Sequence, residues 1–339
     1  MIPVMASVTV SACLALLSSG AASWLLLRWM IPRLQRHLLD LPNVRSAHAV
    51  PTPRGGGLAI VLVTVMTSLI AEVANWSSPL ATLPFFCAPL ALVGLLDDRF
   101  DLPAGFRYAV QLLTSFMLLS LAGLSLFVLP LAVRVIVFLL LVIAITAVIN
   151  FTNFMDGLDG LVAGCLTIAF IAGAVELAAP WSFWSVVGAL LGFLVWNWSP
   201  AKVFLGDVGS TFLGAMFAGI VLLVPSWPSA LGLLLVATPL FADAFVCVLR
   251  RLMAGHKIFQ AHRLHLFQRL HQAGWPQAHI AIIYISGTSA LALAFLVGDW
   301  RWVMAGAALE VLFGFWLDQH VAVPFSVTIV STKNTRIPH

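Results

Sequence analysis

Between Asn150 and Gly164 the chain reads NFTNFMDGLDGLVAG, two asparagines, two aspartates and three glycines flanked by runs of almost pure hydrocarbon. Asn150, Asn153, Asp156 and Asp159 recur every three residues. On an ideal α-helix that stride drifts by about 60° per step, so the four would spiral halfway round the axis. The helix is therefore expected to tighten or break within this stretch, with Gly157 and Gly160 permitting the break. The side chains would then converge as donors and acceptors on a polar ligand. A plain helix cap would need one such residue, not four.

Two further aspartate motifs suit the same chemistry. LLDDRFDLPAGFR, Leu95 to Arg107, sets Asp97 beside Asp98 at a helix end, where mutual repulsion favours a cation between them. VFLGDVGS, Val203 to Ser210, adds Asp207. Carboxylates with water are what Mg²⁺ takes, substrate phosphate oxygens completing its octahedron. Two basic segments accompany them. RSAHAVPTPRGGG carries Arg54 before Gly55, Gly56 and Gly57, and HKIFQAHRLHLFQRLHQAGW carries His262, Arg263 and His265. The Arg263 guanidinium offers the paired donors that suit phosphate. His48, His256 and His271 read as plain loop histidines.

The elements that must position these motifs are apolar. Hydrophobic residues make up 61% of the 339 and charged residues only 9%, against about 25% charged in an ordinary soluble domain. Apolar windows long enough to approach the roughly 20 residues of a spanning helix fall at about 5–27, 58–74, 80–96, 107–121, 131–149, 161–178, 183–198, 211–224, 229–248, 278–297 and 302–320. The expected fold is an all-α polytopic integral membrane protein of about eleven transmembrane helices, ten being the alternative, forming one domain over 1–339. The first window has no basic residue before it, the reverse of a secretory signal peptide, and is expected to stay as a helix with its amino terminus outside.

With eleven spans, the loops after the odd-numbered windows and the carboxyl tail hold 15 of the 17 Lys and Arg residues, leaving Arg134 and Arg301 outside. Basic residues mark the cytoplasmic side, and all five polar motifs fall there. Polarity of loops in general accounts for the basic residues. It accounts poorly for Asp97, Asp98, Asp156, Asp159 and Asp207, so one site built from several loops at one membrane surface is expected. Asp243, inside the ninth window, is an intramembrane carboxylate and is placed near the site without a role. Cys13, Cys87, Cys165 and Cys247 lack metal-ligand spacing and are expected to pack as small core residues. The net charge of +4 reports topology and anionic lipid or substrate, with little reason to expect nucleic acid.

In the order PTPRGGG, LLDDR, NxxNxxDGxDGL, FLGDVGS and a histidine-bearing loop, the chain resembles the polyprenyl-phosphate N-acetylhexosamine-1-phosphate transferases of glycosyltransferase family 4 over nearly its whole length. The resemblance implies transfer of a sugar 1-phosphate from a UDP-sugar donor to undecaprenyl phosphate, giving undecaprenyl-diphospho-sugar and UMP. It implies Mg²⁺ as cofactor, with Mn²⁺ as a substitute, and a bacterial inner membrane location with the site facing the cytoplasm. Membrane lipid surrounds the chain, and a homodimer stays open.

Carried over by motif, Asp97 and Asp98 correspond to a metal and lipid-phosphate pair, and Asp207 to a metal ligand. Asn153, Asp156 and Asp159 correspond to positions of nucleotide binding and catalysis. Arg54 with Gly55 and Gly56 corresponds to a loop near the diphosphate. Asn150, Asn153, Asp156 and Arg263 are thus expected to bind substrate, and Asp97, Asp98, Asp156, Asp159, His262 and His265 to serve catalysis. Where part of the family has HxHH, this chain has HRLH, the form of an O-antigen-initiating branch. That implies a donor such as UDP-N-acetylfucosamine or UDP-N-acetylquinovosamine, with UDP-N-acetylglucosamine, used for enterobacterial common antigen or teichoic acid, as the alternative. A transporter is the competing class, because membrane carboxylates and Gly-interrupted helices also mark ion paths. It fits less well, since transporter sites lie near mid-bilayer and only Asp243 and Glu310, with Glu176 near an outer end, are expected well within the spans.

Overall fold

The computed structural model describes residues 2–42, 50–124, 128–255 and 262–325. Of the sequence features above, Arg45, His48, His256, Lys257, Lys333 and Arg336 lie outside the described residues.

The first five helices are α1 (Ile2–His37), α2 (Gly57–Val73), α3 (Pro79–Phe100), α4 (Ala104–Ala122) and α5 (Leu131–Met155). They continue as α6 (Leu161–Glu176), α7 (Trp181–Asn197), α8 (Gly206–Leu223), α9 (Trp227–Val236) and α10 (Thr238–Met253). The last are α11 (Leu266–Gln272), α12 (Gln277–Val297) and α13 (Trp300–His320). A two-residue pair, β1 (Leu39–Asp40) antiparallel to β2 (Thr52–Pro53), links α1 to α2.

Each apolar window falls on helix, and the protein is polytopic and all-α. Six helices, α1, α3, α4, α5, α8 and α12, meet the length and apolarity of a membrane span, whereas α2, α6 and α7 are shorter apolar helices. The ninth window departs from a straight span. It divides into α9 and α10, bent by 79° at Ala237, the form of a broken span or a re-entrant pair. Pro239, in the first turn of α10, lacks the N–H that would continue the ladder of α9, and Ala237 between the two helices takes φ −87° and ψ 15°, so the bend has a local cause.

At the opposite end from the polar motifs, short signals start the helices. Ser78 and Ser226 accept from the amides of Ala81 and Ser229 with proline one or two residues on, and Asp299 accepts from Arg301 and Trp302. Such side-chain acceptors satisfy donors that the helix itself leaves unpaired.

In α5 and α8 hydropathy and burial run in opposite senses. The richest window, in α5, has a mean hydropathy of 3.0 and is 17% buried, whereas α8 has 1.6 and is 78% buried. Leu139, Leu140 and Ile143 of α5 point outward, as in hydrocarbon they can. α8 is enclosed by neighbours and admits them through small residues, the usual device where lipid removes any hydrophobic drive between helices. A Cβ on Gly94 of α3 would lie 2.4 Å from the Asp207 carbonyl oxygen of α8, and one on Gly188 of α7 would lie 2.1 Å from the Leu16 carbonyl oxygen of α1. The Gly94 contact seats the aspartate-bearing end of α3 on the first turn of α8. Cys87, Cys165 and Cys247 are buried as expected, but Cys13 is exposed, on an outer face of α1.

Candidate active site

α5 does not break where the three-residue stride suggested. It runs unbroken through Asn150 and Asn153 to Met155, and the chain turns only at Asp156 to Gly160, where Gly160 takes φ +73°. The four polar side chains therefore go to different partners. The Asn150 carboxamide exchanges hydrogen bonds with Gln111 of α4, its Nδ2 donating to Gln111 Oε1 at 2.8 Å. Asn153 and Asp97 lie beside the Asp207 carboxylate. Asp156 reaches the Gly206 amide and has Asp98, Arg54 and Asp159 as charged neighbours. Asp159 accepts from the Ala201 amide at 2.9 Å, and its own amide donates to Gln277 Oε1 at 3.1 Å. The adjoining Gly160 amide donates to Asn197 Oδ1 at 3.0 Å. Asp159 is thus tied into the wall of the turn.

Three motifs are stitched together by backbone. Gly56 and Gly57 amides donate to the carbonyls of Phe204 and Leu205, each at 2.9 Å, and the Phe204 amide donates to the Pro53 carbonyl at 2.8 Å. Gly206 has φ +73°, and a Cβ there would fall 2.6 Å from Asp98 Oδ2 and 2.8 Å from the Gly55 amide nitrogen. Only glycine lets the two loops meet with a carboxylate between them. Asp98 accepts from the amides of Asp207 at 3.2 Å and Val208 at 3.4 Å, capping α8 from a different helix. The Arg54 guanidinium pairs with Asp40 at 2.6 Å across the β1–β2 link while staying close to Asp98 and Asp156.

Asp97 is held by the Leu102 amide at 2.7 Å and by Arg107 at 2.5 Å, and the same guanidinium lies 4.0 Å from Asp207. Sequence reading placed Arg107 only among the basic loop residues. Pro103 starts α4 directly after α3, so α4 returns alongside α3 with its first turn facing the aspartates, and that spacing was the available signal. A cavity among α3, α4, α5 and α8 is lined by Asp97, Arg107, Gln111, Asn150, Asn153 and Asp207 among others. Asp97, Asp98, Asp156 and Asp207 thus gather around Arg54 and Arg107. Burial, and after it the charge of Asp98, push the Asp156 carboxyl up to about 7, with the Gly206 amide and Arg54 opposing.

These oxygens fit a hard divalent cation. Four carboxylates from three elements converge with two guanidinium groups to offset them, and Asp207, whose side chain is 33% exposed, faces the open side. The fifth loop stands over the Asp156 turn from the other side. His265 and Phe154 rings are 6.4 Å apart, and His262 and His265 rings 5.0 Å apart. Among the described residues it is Cys247, His262 and His265, and no three of the aspartates, that bring their ligand atoms within 4.8 Å of one another, a nitrogen and sulfur set that suits softer ions than Mg²⁺. His271 is no bare loop histidine; it sits in α11 and its Nδ1 is 2.9 Å from the Trp275 carbonyl oxygen.

The profile of glycosyl transferase family 4 matches residues 80–224, from the start of α3 to the end of α8. The decaprenyl-phosphate N-acetylglucosaminephosphotransferase of Mycobacterium tuberculosis is 32% identical over 286 residues, covering 71% of each chain. The chain belongs to glycosyl transferase family 4. A probable undecaprenyl-phosphate N-acetylglucosaminyl 1-phosphate transferase of Bacillus subtilis is 29% identical over 74% of each chain. The undecaprenyl-phosphate alpha-N-acetylglucosaminyl 1-phosphate transferase of Yersinia pestis is 28% identical over 83% of this chain and 84% of its own. In this family member the profile spans Asp97, Asp98, Asn153, Asp156 and Asp207 together with Arg107.

Proposed function

We propose that the protein transfers a sugar 1-phosphate from a UDP-N-acetylhexosamine to undecaprenyl phosphate, releasing UMP, at the cytoplasmic face of a bacterial inner membrane. The observation that carries the reading is the convergence of Asp97, Asp98, Asp156 and Asp207 with Arg54 and Arg107 at one end of an apolar helix bundle. The names of its relatives support the same reaction class.

Phosphoryl transfer asks a protein mainly to position reactants and offset charge. Mg²⁺, or Mn²⁺ in its place, would be held by Asp207 with Asp97 or Asp98 and would supply charge neutralisation on the donor diphosphate. Arg107, at the cavity wall between α3 and α4, would meet the lipid phosphate. Arg54 and the Gly55 to Gly57 backbone would meet the diphosphate. An oxygen of the lipid phosphate attacks the sugar-bearing phosphorus, and the bond from that phosphorus to the UMP oxygen breaks. A phosphate monoester with a second pKa near 6 is largely ionised at neutral pH, so no strong base is required. Asn153 orients Asp207, Asp98 fixes the first turn of α8, and Asp159 holds the turn that carries Asp156. His262, Arg263 and His265 close the donor side.

For the sugar, the HRLH form of the fifth loop supports an N-acetylated deoxy sugar and a role in starting O-antigen synthesis. The relatives' names support N-acetylglucosamine as the second reading. Purified protein, undecaprenyl phosphate and a panel of labelled UDP-sugars, each with Mg²⁺ or with excess EDTA, test both. Transfer from a deoxyhexosamine donor at higher kcat/KM than from UDP-N-acetylglucosamine supports the first reading, and the opposite order supports the second. Transfer that persists undiminished in EDTA would remove the metal from the proposal.

A further inference from the structure

Asp243 lies in α10, within a hydrophobic helix pair and away from the aspartates described above, and its side chain is 5% exposed. A carboxylate in such a place is costly unless its oxygens are satisfied. They are satisfied by the start of α11 and by one side chain of α12. Asp243 Oδ1 accepts from the Leu266 amide at 2.7 Å, and Oδ2 accepts from the Phe267 amide at 3.1 Å and the Tyr284 hydroxyl at 2.8 Å. Its Oδ1 is also 3.7 Å from Nδ1 of His265, whose side chain is 2% exposed. Leu266 and Phe267 open α11, directly after HRLH. The fully buried Phe267 ring, held by those bonds, lies against the Asp156 turn, where a Cβ on Gly157 would be 3.1 Å from Phe267 Cζ and 3.6 Å from Gln268 Nε2.

One carboxylate on α10 therefore fixes the start of α11, and α11 presses on the glycine next to Asp156. The other end of α11 is fixed separately. Arg269 donates to the Leu264 and Val323 carbonyls and pairs with Asp318 of α13, so the register of the loop on its base does not depend on Asp243 alone.

We propose that Asp243 is a positioning residue for the donor half of the site, docking the fifth loop against the Asp156 turn through Leu266, Phe267 and Tyr284. The inference rests on the transferase reading above, in which Arg263 meets the donor. An amide in place of the carboxylate keeps one acceptor and turns a donor toward the Phe267 amide, so about one hydrogen bond to a charged group is lost, worth about tenfold or more.

The test is steady-state kinetics of the purified full chain with Asp243→Asn, Tyr284→Phe, Arg263→Ala and the Asp243→Asn/Arg263→Ala double variant. Expected for Asp243→Asn is a rise of about tenfold in the donor KM with the KM for undecaprenyl phosphate within about twofold. In the double variant the factors should fail to multiply, because the two changes disable one unit. Tyr284→Phe, which deletes one bond and keeps the ring, should show a smaller rise of the same kind, and it carries the test where Asp243→Asn does not fold. A merely structural role would lower kcat and leave both KM values unchanged, and that result, or multiplying factors, would overturn the inference. Wild-type protein that transfers from none of the UDP-sugars would instead overturn the transferase reading itself.

Discussion

Two groups of buried and part-buried carboxylates stand at the same end of the molecule, and they are built on opposite terms. Asp243 and Asp318 are each surrounded by donors. Asp243 takes two amides and a tyrosine hydroxyl, while Asp318 bridges Arg250 at 2.7 Å and Arg269. Asp97, Asp98, Asp156 and Asp207 crowd one another instead, with Arg54 and Arg107 as the nearby cations and Arg54 also committed to Asp40. Compensated carboxylates hold elements together. A cluster whose charges outnumber its partners stores a demand for positive charge, and only a ligand that brings such charge repays the arrangement.

Paired substitutions break this comparison most sharply. Asp207→Asn removes a charge from the crowded group, so transfer should fall by more than about 100-fold, beyond the range typical of losing an outer partner of a metal ligand. The same change should leave the metal-free protein as stable as wild type or more so, measured as Tm in detergent. Asp318→Asn should do the reverse. It breaks a largely buried pair of ion bonds, costing up to about 3–5 kcal/mol of stability, while turnover per folded molecule and its Mg²⁺ dependence stay near wild type. If Asp207→Asn destabilised the fold and Asp318→Asn abolished turnover at unchanged Tm, the two groups would have been assigned the wrong way round.

Arg107 is the cation that the crowded group can least spare. Arg107→Ala should lower kcat/KM by about 10- to 100-fold and raise the Mg²⁺ concentration tolerated before saturation is complete only slightly. Arg107→Lys should recover part of the loss, since it restores the charge but not the forked geometry. Kinetics of both variants against lipid concentration check this, and an alanine variant with wild-type kcat/KM would exclude Arg107 from the site.

A smaller effect follows from Asp156. Its carboxyl is held near 7 in the folded protein against an ordinary value of 3.8, by burial and then by Asp98. Between those values the folded state binds more protons than the unfolded one, so metal-free protein should lose stability as pH rises from about 4 to 7 and level off above it. Asp156→Asn should flatten that part of the Tm profile. A wild-type profile that rises with pH over this interval would contradict the environment assigned to Asp156.

Much of this could be read from the chain because the signals were local. Hydrophobic windows marked the helices, and glycine beside aspartate marked the loops that approach one another. The bend at Ala237 was foreshadowed by Pro239, yet the uninterrupted apolar run on both sides hid it. The continuation of α5 through Asn153 went unread because a three-residue stride argues against a shared helical face only if all four residues serve one ligand, and Asn150 instead serves Gln111, thirty-nine residues away. Arg107 had a local signal in Pro103, which starts α4 directly after α3, but the docking bonds of Asp243 were illegible for the same reason. Their meaning depends on which helix returns beside which, a long-range outcome that no local pattern encodes.

The central claim is that the crowded carboxylates serve transfer at phosphorus rather than at the sugar carbon. Donor labelled with ³²P in the phosphate next to the sugar, incubated with purified protein, Mg²⁺ and undecaprenyl phosphate, tests it directly. The account predicts label in the lipid fraction, UMP as the released nucleotide, and reversal on adding UMP, since one diphosphate linkage is exchanged for another. Sugar entering the lipid while the label stays in aqueous UDP would contradict it.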